Sequence, residues 1–166
     1  MAYSGRYKVK NPDKYEGDHT KVTYRSLWEK HAFKWCDDNP KVKRWSSEEV
    51  IIPYLYEVDK RYHRYFVDLF LVMEDGSTWL IEIKPDKETK IPTGSKKTKR
   101  YITESFTYVK NINKWTAAKE YAENRGWHFQ IWTEKNEPLK SLLPKSTKPL
   151  KPLKKTLKPF RKKRKK

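Results

Sequence analysis

The stretch from Tyr62 to Pro85 constrains this chain more than any other part of it. Two runs rich in β-branched, aromatic and aliphatic residues, Tyr62 to Met73 and Thr78 to Lys84, flank Glu74-Asp75-Gly76-Ser77. An Asp-Gly pair between such runs favours a tight hairpin turn. A turn centred there pairs residues whose numbers sum to about 151, which sets Asp68 against the strand running from Ser77 to Glu82. Asp68 sits among Phe66, Val67, Leu69, Phe70 and Leu71, where an acid is costly to bury without a cationic partner. Glu82 and Lys84 alternate along the second strand and therefore share one face. The hairpin thus carries an acid on one strand and an acid with a lysine on the next.

The rest of the chain supplies elements to pack against this hairpin. Residues 1–21 are polar, with Tyr3, Tyr7 and Tyr15 spread among Lys, Asn, Pro and Gly, and read as an irregular arm. Leu27, Trp28, His31, Ala32, Trp35 and Cys36 recur at helical spacing, predicting a helix from Tyr24 to Asp38 that Asn39-Pro40 stops. Val50 to Leu55 reads as a further strand. Asp86 to Lys99, with Pro92, Gly94 and Ser95, has loop composition. Helices are expected over Arg100–Val109 and Asn113–Asn124, the second closed by Arg125-Gly126. Trp127 to Thr133 alternates as a final strand. The resulting order is αβββαβ, an α/β class with one body over 22–137.

Charge is unevenly spread. The chain has 39 Lys and Arg against 21 Asp and Glu, a net +18. Residues 138–166 hold 13 of those bases and no acid, so the body is only mildly basic. This tail repeats Lys-Pro-Leu and ends Arg-Lys-Lys-Arg-Lys-Lys; its prolines and self-repulsion predict disorder in isolation and an affinity for polyanions. A partner-docking arm or an import signal is the other use of such a run. No stretch approaches the roughly 20 apolar residues that span a bilayer, and no signal-peptide segment opens the chain, so a soluble, intracellular protein without membrane partners is expected. Cys36 is the single cysteine, which excludes an internal disulfide and any all-cysteine or Cys2His2 zinc site. With 7 Trp, 11 Tyr and 6 Phe, a 166-residue chain of 20.1 kDa can still bury a substantial core.

Two carboxylates brought together in a part-buried site repel each other unless a cation lies between them, and a hard, oxygen-liganded ion such as magnesium is the usual occupant. A lysine beside them can orient an attacking water and counter charge growing on a phosphate. Asp68-x13-Glu82-x-Lys84 on a hairpin after an acidic helix resembles the PD-(D/E)XK nuclease superfamily, whose common core is αβββαβ with a mixed central sheet flanked by helices, the restriction-endonuclease-like fold. The resemblance implies that Asp68, Glu82 and the Ile83 carbonyl hold Mg2+, with Mn2+ as a substitute and no nucleotide cofactor. It further implies that Lys84 positions the water and that Glu29 completes or orients the site. Val67 stands where the strict motif has Pro. Ser26-Leu27-Trp28-Glu29 also looks like the end-cleaving nuclease subunit of heteromeric transposases, in the same superfamily.

Longer segments, among them Tyr24-Arg-Ser-Leu-Trp-Glu-Lys30, Pro53-Tyr-Leu-Tyr-Glu-Val58 and Glu82-Ile-Lys-Pro-Asp-Lys-Glu-Thr89, are similar to a family of tailed-phage nucleases. That similarity implies a DNA endo- and exonuclease acting in the host cytoplasm late in head assembly, before tails join, with DNA and the portal or neck proteins as partners.

Each site residue also has a plainer reading. Ser26 and Glu29 form a capping-box pattern, and Glu82 with Lys84 could be a solvated strand face. Arg64, placed by alternation on the Asp68 face, suits a phosphate or an ion pair, whereas His63 points away. Lys87, Lys90, Lys96, Lys97, Lys99 and Arg100 form a basic loop suited to a phosphodiester backbone, as do Lys162, Lys163 and Arg164 of the tail. Gln130, Tyr101, Tyr108 and Lys119 read as packing or solvated residues, and His31 as a hydrogen-bonded core histidine. The rival functions are a structural head or neck component that keeps the fold without cutting, and a basic nucleic-acid-binding module of ribosomal type.

Overall fold

A computed structural model describes residues 3–145, so the tail from 146 onward, including Lys162, Lys163 and Arg164, lies outside the described residues. In chain order the elements are β1 (Gly5–Arg6), β2 (Thr23–Tyr24), α1 (Leu27–Asp38), β3 (Val42–Ser46), β4 (Ile51–Tyr56), β5 (Arg61–Phe66), β6 (Leu69–Met73), β7 (Thr78–Ile83), α2 (Lys99–Glu123), β8 (His128–Trp132) and α3 (Leu139–Leu142).

The main sheet has the order β3-β6-β7-β8. β3, β6 and β7 pair antiparallel, while β7 and β8 run parallel. Parallel neighbours need a crossover, and α2 supplies it. The β6–β7 turn is the Asp-Gly hairpin: Gly76 takes φ +85° and donates to the Met73 carbonyl at 3.0 Å, while Asp75 Oδ1 accepts from Ser77 N at 2.8 Å. Its register pairs Leu69 with Ile81 and Phe70 with Leu80, so one step further Asp68 stands across from Glu82.

The two faces of this sheet bury different layers. On one, Leu69, Leu71, Ile81 and Ile83 join Phe33 and Cys36 of α1 around Trp45. Phe33, Tyr7 and Tyr15 lie within 6.0 Å of the Trp45 ring, at separations where aromatic pairs attract beyond their area burial. On the other face, Leu80 and Phe70 pack with Tyr65, Val67 and the Ala118–Ala122 side of α2.

Several expectations need correction. Tyr62–Met73 is not one strand: β5 pairs with β4 in a separate two-stranded ribbon, and the chain changes sheets at Val67-Asp68. Val67 marks the switch, its N–H bonded to the Val50 carbonyl and its own carbonyl accepting from Glu48 N. The helices expected over Arg100–Val109 and Asn113–Asn124 are one helix, because Lys110-Asn111-Ile112 contains no breaker. β3 is an additional strand. Residues 3–21 are a largely irregular lead-in, as expected, but a packed one: Val9 and Tyr15 are buried, and Asp37 accepts from Lys10 N at 2.6 Å and Asn11 N at 3.0 Å. Lys14 Nζ caps α1 by donating to the carbonyls of Cys36, Asp37 and Asn39, where the helix dipole favours a cation. Leu139 is 0 % exposed, so the packed body continues past residue 137. His31 is half-buried at a surface groove beside Trp35 and Asp38 instead of lying in the core. No helix among the described residues is long and apolar enough to cross a membrane.

Candidate active site

The break between β5 and β6 frees Asp68 from strand pairing just where β6 emerges from under the ribbon. By alternation Asp68 falls on the same face as Phe70, toward α2, and Glu82 falls there with Leu80. Asp68 Oδ2 accepts from Ile83 N at 2.7 Å. Within a strand the N–H and C=O of one residue point to the same edge, so the Ile83 carbonyl also faces Asp68, while the next N–H, that of Lys84, turns to the Trp132 carbonyl at 3.0 Å.

Glu82 is 2 % exposed. Its Oε2 accepts from the Tyr65 hydroxyl at 2.5 Å, and its Oε1 lies 3.4 Å from Lys84 Nζ. Asp68 retains some surface of its own, yet it is enclosed on most sides: burial and then the Glu82 charge push its carboxyl well above the usual carboxylate range, against the pull of the Ile83 N–H. Burial also raises the Tyr65 hydroxyl, with Glu82 adding to the shift, so Tyr65 stays a donor. Burial opposes the Lys84 charge, but Glu82, Asp68 and Glu88 outweigh it, and the amine stays protonated. Lys114 of α2 points into the same space. There burial pulls its amine below the ordinary lysine value and Lys84 and Lys110 add to the depression, with Glu82 and Asp68 opposing.

At the start of α1 the capping box is formed. Ser26 Oγ accepts from Glu29 N at 3.2 Å, and Glu29 Oε2 accepts from Arg25 N at 2.8 Å. Burial, followed by the Glu48 charge, raises the Glu29 carboxyl, and Asp68 feels the Glu29 charge in turn. Arg25 Nε pairs with Glu48 Oε1 at 2.9 Å. Glu48 adopts φ +57°, an uncommon conformation for a residue with a side chain, while its N–H holds the Val67 carbonyl next to Asp68.

Asp68 and Glu82 therefore stand together at the end of β7, and the Glu29 charge reaches Asp68 from the start of α1. Among the described residues no three His, Cys, Asp or Glu side chains are close enough to form a cage on their own. Two carboxylates are what a hard divalent ion such as magnesium takes, the rest of its shell being water. Asp68, Glu82 and the Ile83 carbonyl supply two carboxylates and a neutral oxygen, and the repulsion raising Asp68 is what a cation between the two acids would relieve.

The basic groups divide. Arg64 does not join Asp68: it is exposed on the ribbon and lies over the Phe66 ring, and Tyr65 takes the inward position, because the sheet switch resets the alternation. His63 packs between Tyr54 and Tyr56 and bonds Asp59 at 2.6 Å. Lys90 and Arg100 are engaged with Asp86 and Glu104, at 2.6 and 2.8 Å, while Lys87, Lys96, Lys97 and Lys99 are exposed. Gln130 bonds the Trp132 indole, Lys119 is exposed and Tyr101 is half-buried. Sequence patterning alone does not single out Tyr65, Lys114 or Arg25. Of these, Lys114 leaves a trace: it falls at helical spacing among Asn111, Trp115 and Ala118, on the stripe α2 buries.

Residues 39–134 match the family described as TnsA-like endonuclease N terminal, a span holding Asp68, Glu82, Lys84 and Lys114 but not Glu29. Over 141 residues the chain is 45% identical to the head completion nuclease of Enterobacteria phage T4, an alignment covering 81% of this chain and 93% of that protein. No solved structure matches.

Proposed function

The chain belongs to the family of TnsA-like N-terminal endonuclease domains, with their mixed α/β, restriction-endonuclease-like core, and on that premise we propose that it is a divalent-metal-dependent DNA nuclease acting in phage head completion before heads and tails join. The observation that carries this reading is the pairing of Asp68 and Glu82 on one face, with Lys84 Nζ 3.4 Å from Glu82.

Asp68, Glu82 and the Ile83 carbonyl would hold the ion, which when bound polarises a phosphoryl oxygen and lowers the pKa of bound water. The protein groups do the positioning. Tyr65 fixes Oε2 of Glu82, whose Oε1 lies beside Lys84 Nζ, and the Ile83 N–H fixes Oδ2 of Asp68. Because Lys84 stays protonated, it serves as a cation: it donates to the attacking water and offsets charge on the phosphate, and it is not the general base. Lys114 adds a second positive group on the α2 side. Glu29, held by its own cap, sets the negative field at the mouth of the site. The water oxygen joins phosphorus and gives up a proton to solvent, the bond from phosphorus to one ester oxygen breaks, and that oxygen takes a proton from solvent, leaving a phosphate monoester and a hydroxyl. The site contacts no base in this scheme, so little sequence preference is expected.

Plasmid digestion in magnesium by the wild type and by Lys84→Ala tests the reading. We expect cutting by the wild type and a loss of about 10²–10³-fold in the variant; equal cutting by both, or by neither, removes the mechanism.

A further inference from the structure

A cavity of about 540 Å³ opens between the loop 87–93 and the first half of α2, a size typical of small-molecule sites. Lys87, Ile91, Pro92, Arg100, Tyr108 and Asn111 are among the residues that line it. Asn111 is 4 % exposed, and its Nδ2 has no hydrogen-bond partner among the described residues. A buried amide left unpaired costs free energy, so a missing partner in the adjoining space is the physical reading. Ile91, 71 % exposed, forms an apolar lip. Within one pocket there are an amide to pair with a base edge, an aromatic ring and an isoleucine to cover a base face, and the exposed Lys87 for a phosphate, Lys90 and Arg100 being paired with Asp86 and Glu104.

The pocket neighbours the candidate active site along α2. Asn111 and Lys114 lie three residues apart on α2, about 4.5 Å along the helix axis. Lys114 feels the charges of Glu82, Asp68 and Lys84, and Glu88 on the opposite wall contributes to the field at Lys84.

We propose that this cavity receives one unstacked nucleotide of the DNA strand being cut, its base against Tyr108 and Asn111 and its phosphate near Lys87, so that frayed or single-stranded ends are engaged in preference to blunt duplex. The proposal rests on the nuclease reading above. Stacking of a base on an aromatic ring and pairing of its edge are together enough for about tenfold in affinity.

The test uses the full chain in chelator, with fluorescence anisotropy on two duplexes of equal length, one blunt and one with a three-nucleotide single-stranded extension carrying 2-aminopurine at its first unpaired position. Wild type should bind the extended duplex about tenfold more tightly and change the 2-aminopurine emission. Thr107→Trp, from an exposed position on the pocket rim, should bring the two affinities together and abolish the emission change, as should Tyr108→Ala, with circular dichroism showing both variants folded. Equal wild-type affinities, or variants that keep the preference, would overturn the proposal. So would displacement of the extension by micromolar deoxynucleoside monophosphate, which would mark a free-nucleotide site. Plasmid cutting without end preference would sink this pocket and spare the nuclease, whereas end preference without cutting of any DNA would do the reverse.

Discussion

The Tyr65 hydroxyl, on the β4–β5 ribbon, donates a 2.5 Å hydrogen bond to Oε2 of Glu82, on the central strand of the other sheet. The bond joins two sheets that share no backbone pairing, and it does so at the buried carboxylate of the candidate site. The break at Val67-Asp68 has a purpose in this light: it turns Tyr65 inward and leaves Asp68 unpaired in one stroke.

Tyr65→Phe should therefore loosen Glu82 without emptying the core, since only the hydroxyl is lost. A buried charged acceptor deprived of its donor costs about 1–3 kcal/mol. The expected outcome is a folded protein that cleaves DNA about tenfold or more slowly and needs more magnesium for half-maximal rate. Magnesium titration of the cleavage rate, with melting curves alongside, checks it; unchanged magnesium dependence would remove Tyr65 from the site.

Asp68→Asn should abolish cleavage and yet stabilise the metal-free protein at neutral pH. Burial and Glu82 raise the Asp68 carboxyl in the folded state, so between its ordinary value and the raised one the folded chain binds a proton that the unfolded chain has released. Stability then falls as pH rises through that window. Asparagine keeps the acceptor for Ile83 N and drops the charge. A gain of about 1 kcal/mol would raise Tm by about 2–4 °C, shrinking as pH is lowered from about 8 toward about 5. Melting curves in chelator across that range decide it, and a variant less stable at pH 8 would contradict the argument.

Where local chemistry decides, the sequence already spoke: the Asp-Gly turn, the alternation of Glu82 and Lys84 and the Ser26–Glu29 cap all follow from neighbours a few residues apart. Tertiary contacts decided the rest. β3 buries Val42, Trp45 and Ser46 but exposes Lys43 and Arg44, a bulged pattern with no clean period. The sheet switch at Val67 has no breaker residue, because it is imposed by Val50 and Glu48. The arm reads as loose until Asp37, nearly 30 residues on, gathers its backbone N–H groups. Tyr65 and Lys114 meet Glu82 only through the fold, so no spacing rule exposes them.

Lys114 gives a pH signature. Burial lowers its amine, so its charge is lost at lower pH than for an ordinary lysine. If that charge supports the phosphate, cleavage falls off on the alkaline side as Lys114 deprotonates. Lys114→Arg, charged throughout, should carry the alkaline limb upward, while Lys114→Ala should lower the rate at every pH. Rate profiles of the three proteins provide the check; superimposable alkaline limbs for wild type and Lys114→Arg would assign the limb to another group.

The position of Leu139 dictates where the basic tail can be cut. Removing residues 138–166 takes away a fully buried leucine and the partly buried Leu143 that packs on the same cluster, at a cost of about 2–5 kcal/mol for the first alone. A chain ending at Lys145 keeps both and still loses 11 of the 39 bases. We expect that shorter deletion to leave Tm and low-salt cleavage within a few-fold of the full chain while flattening the salt dependence of DNA binding, by about 0.9 in log–log slope for each phosphate that the tail no longer neutralises. The longer deletion, which also removes Lys140 and Lys145, should flatten the slope at least as much but lower Tm as well. Melting curves and salt titrations of both truncations distinguish the two roles, and an unchanged slope in the chain ending at Lys145 would mean that the tail serves something other than the DNA backbone.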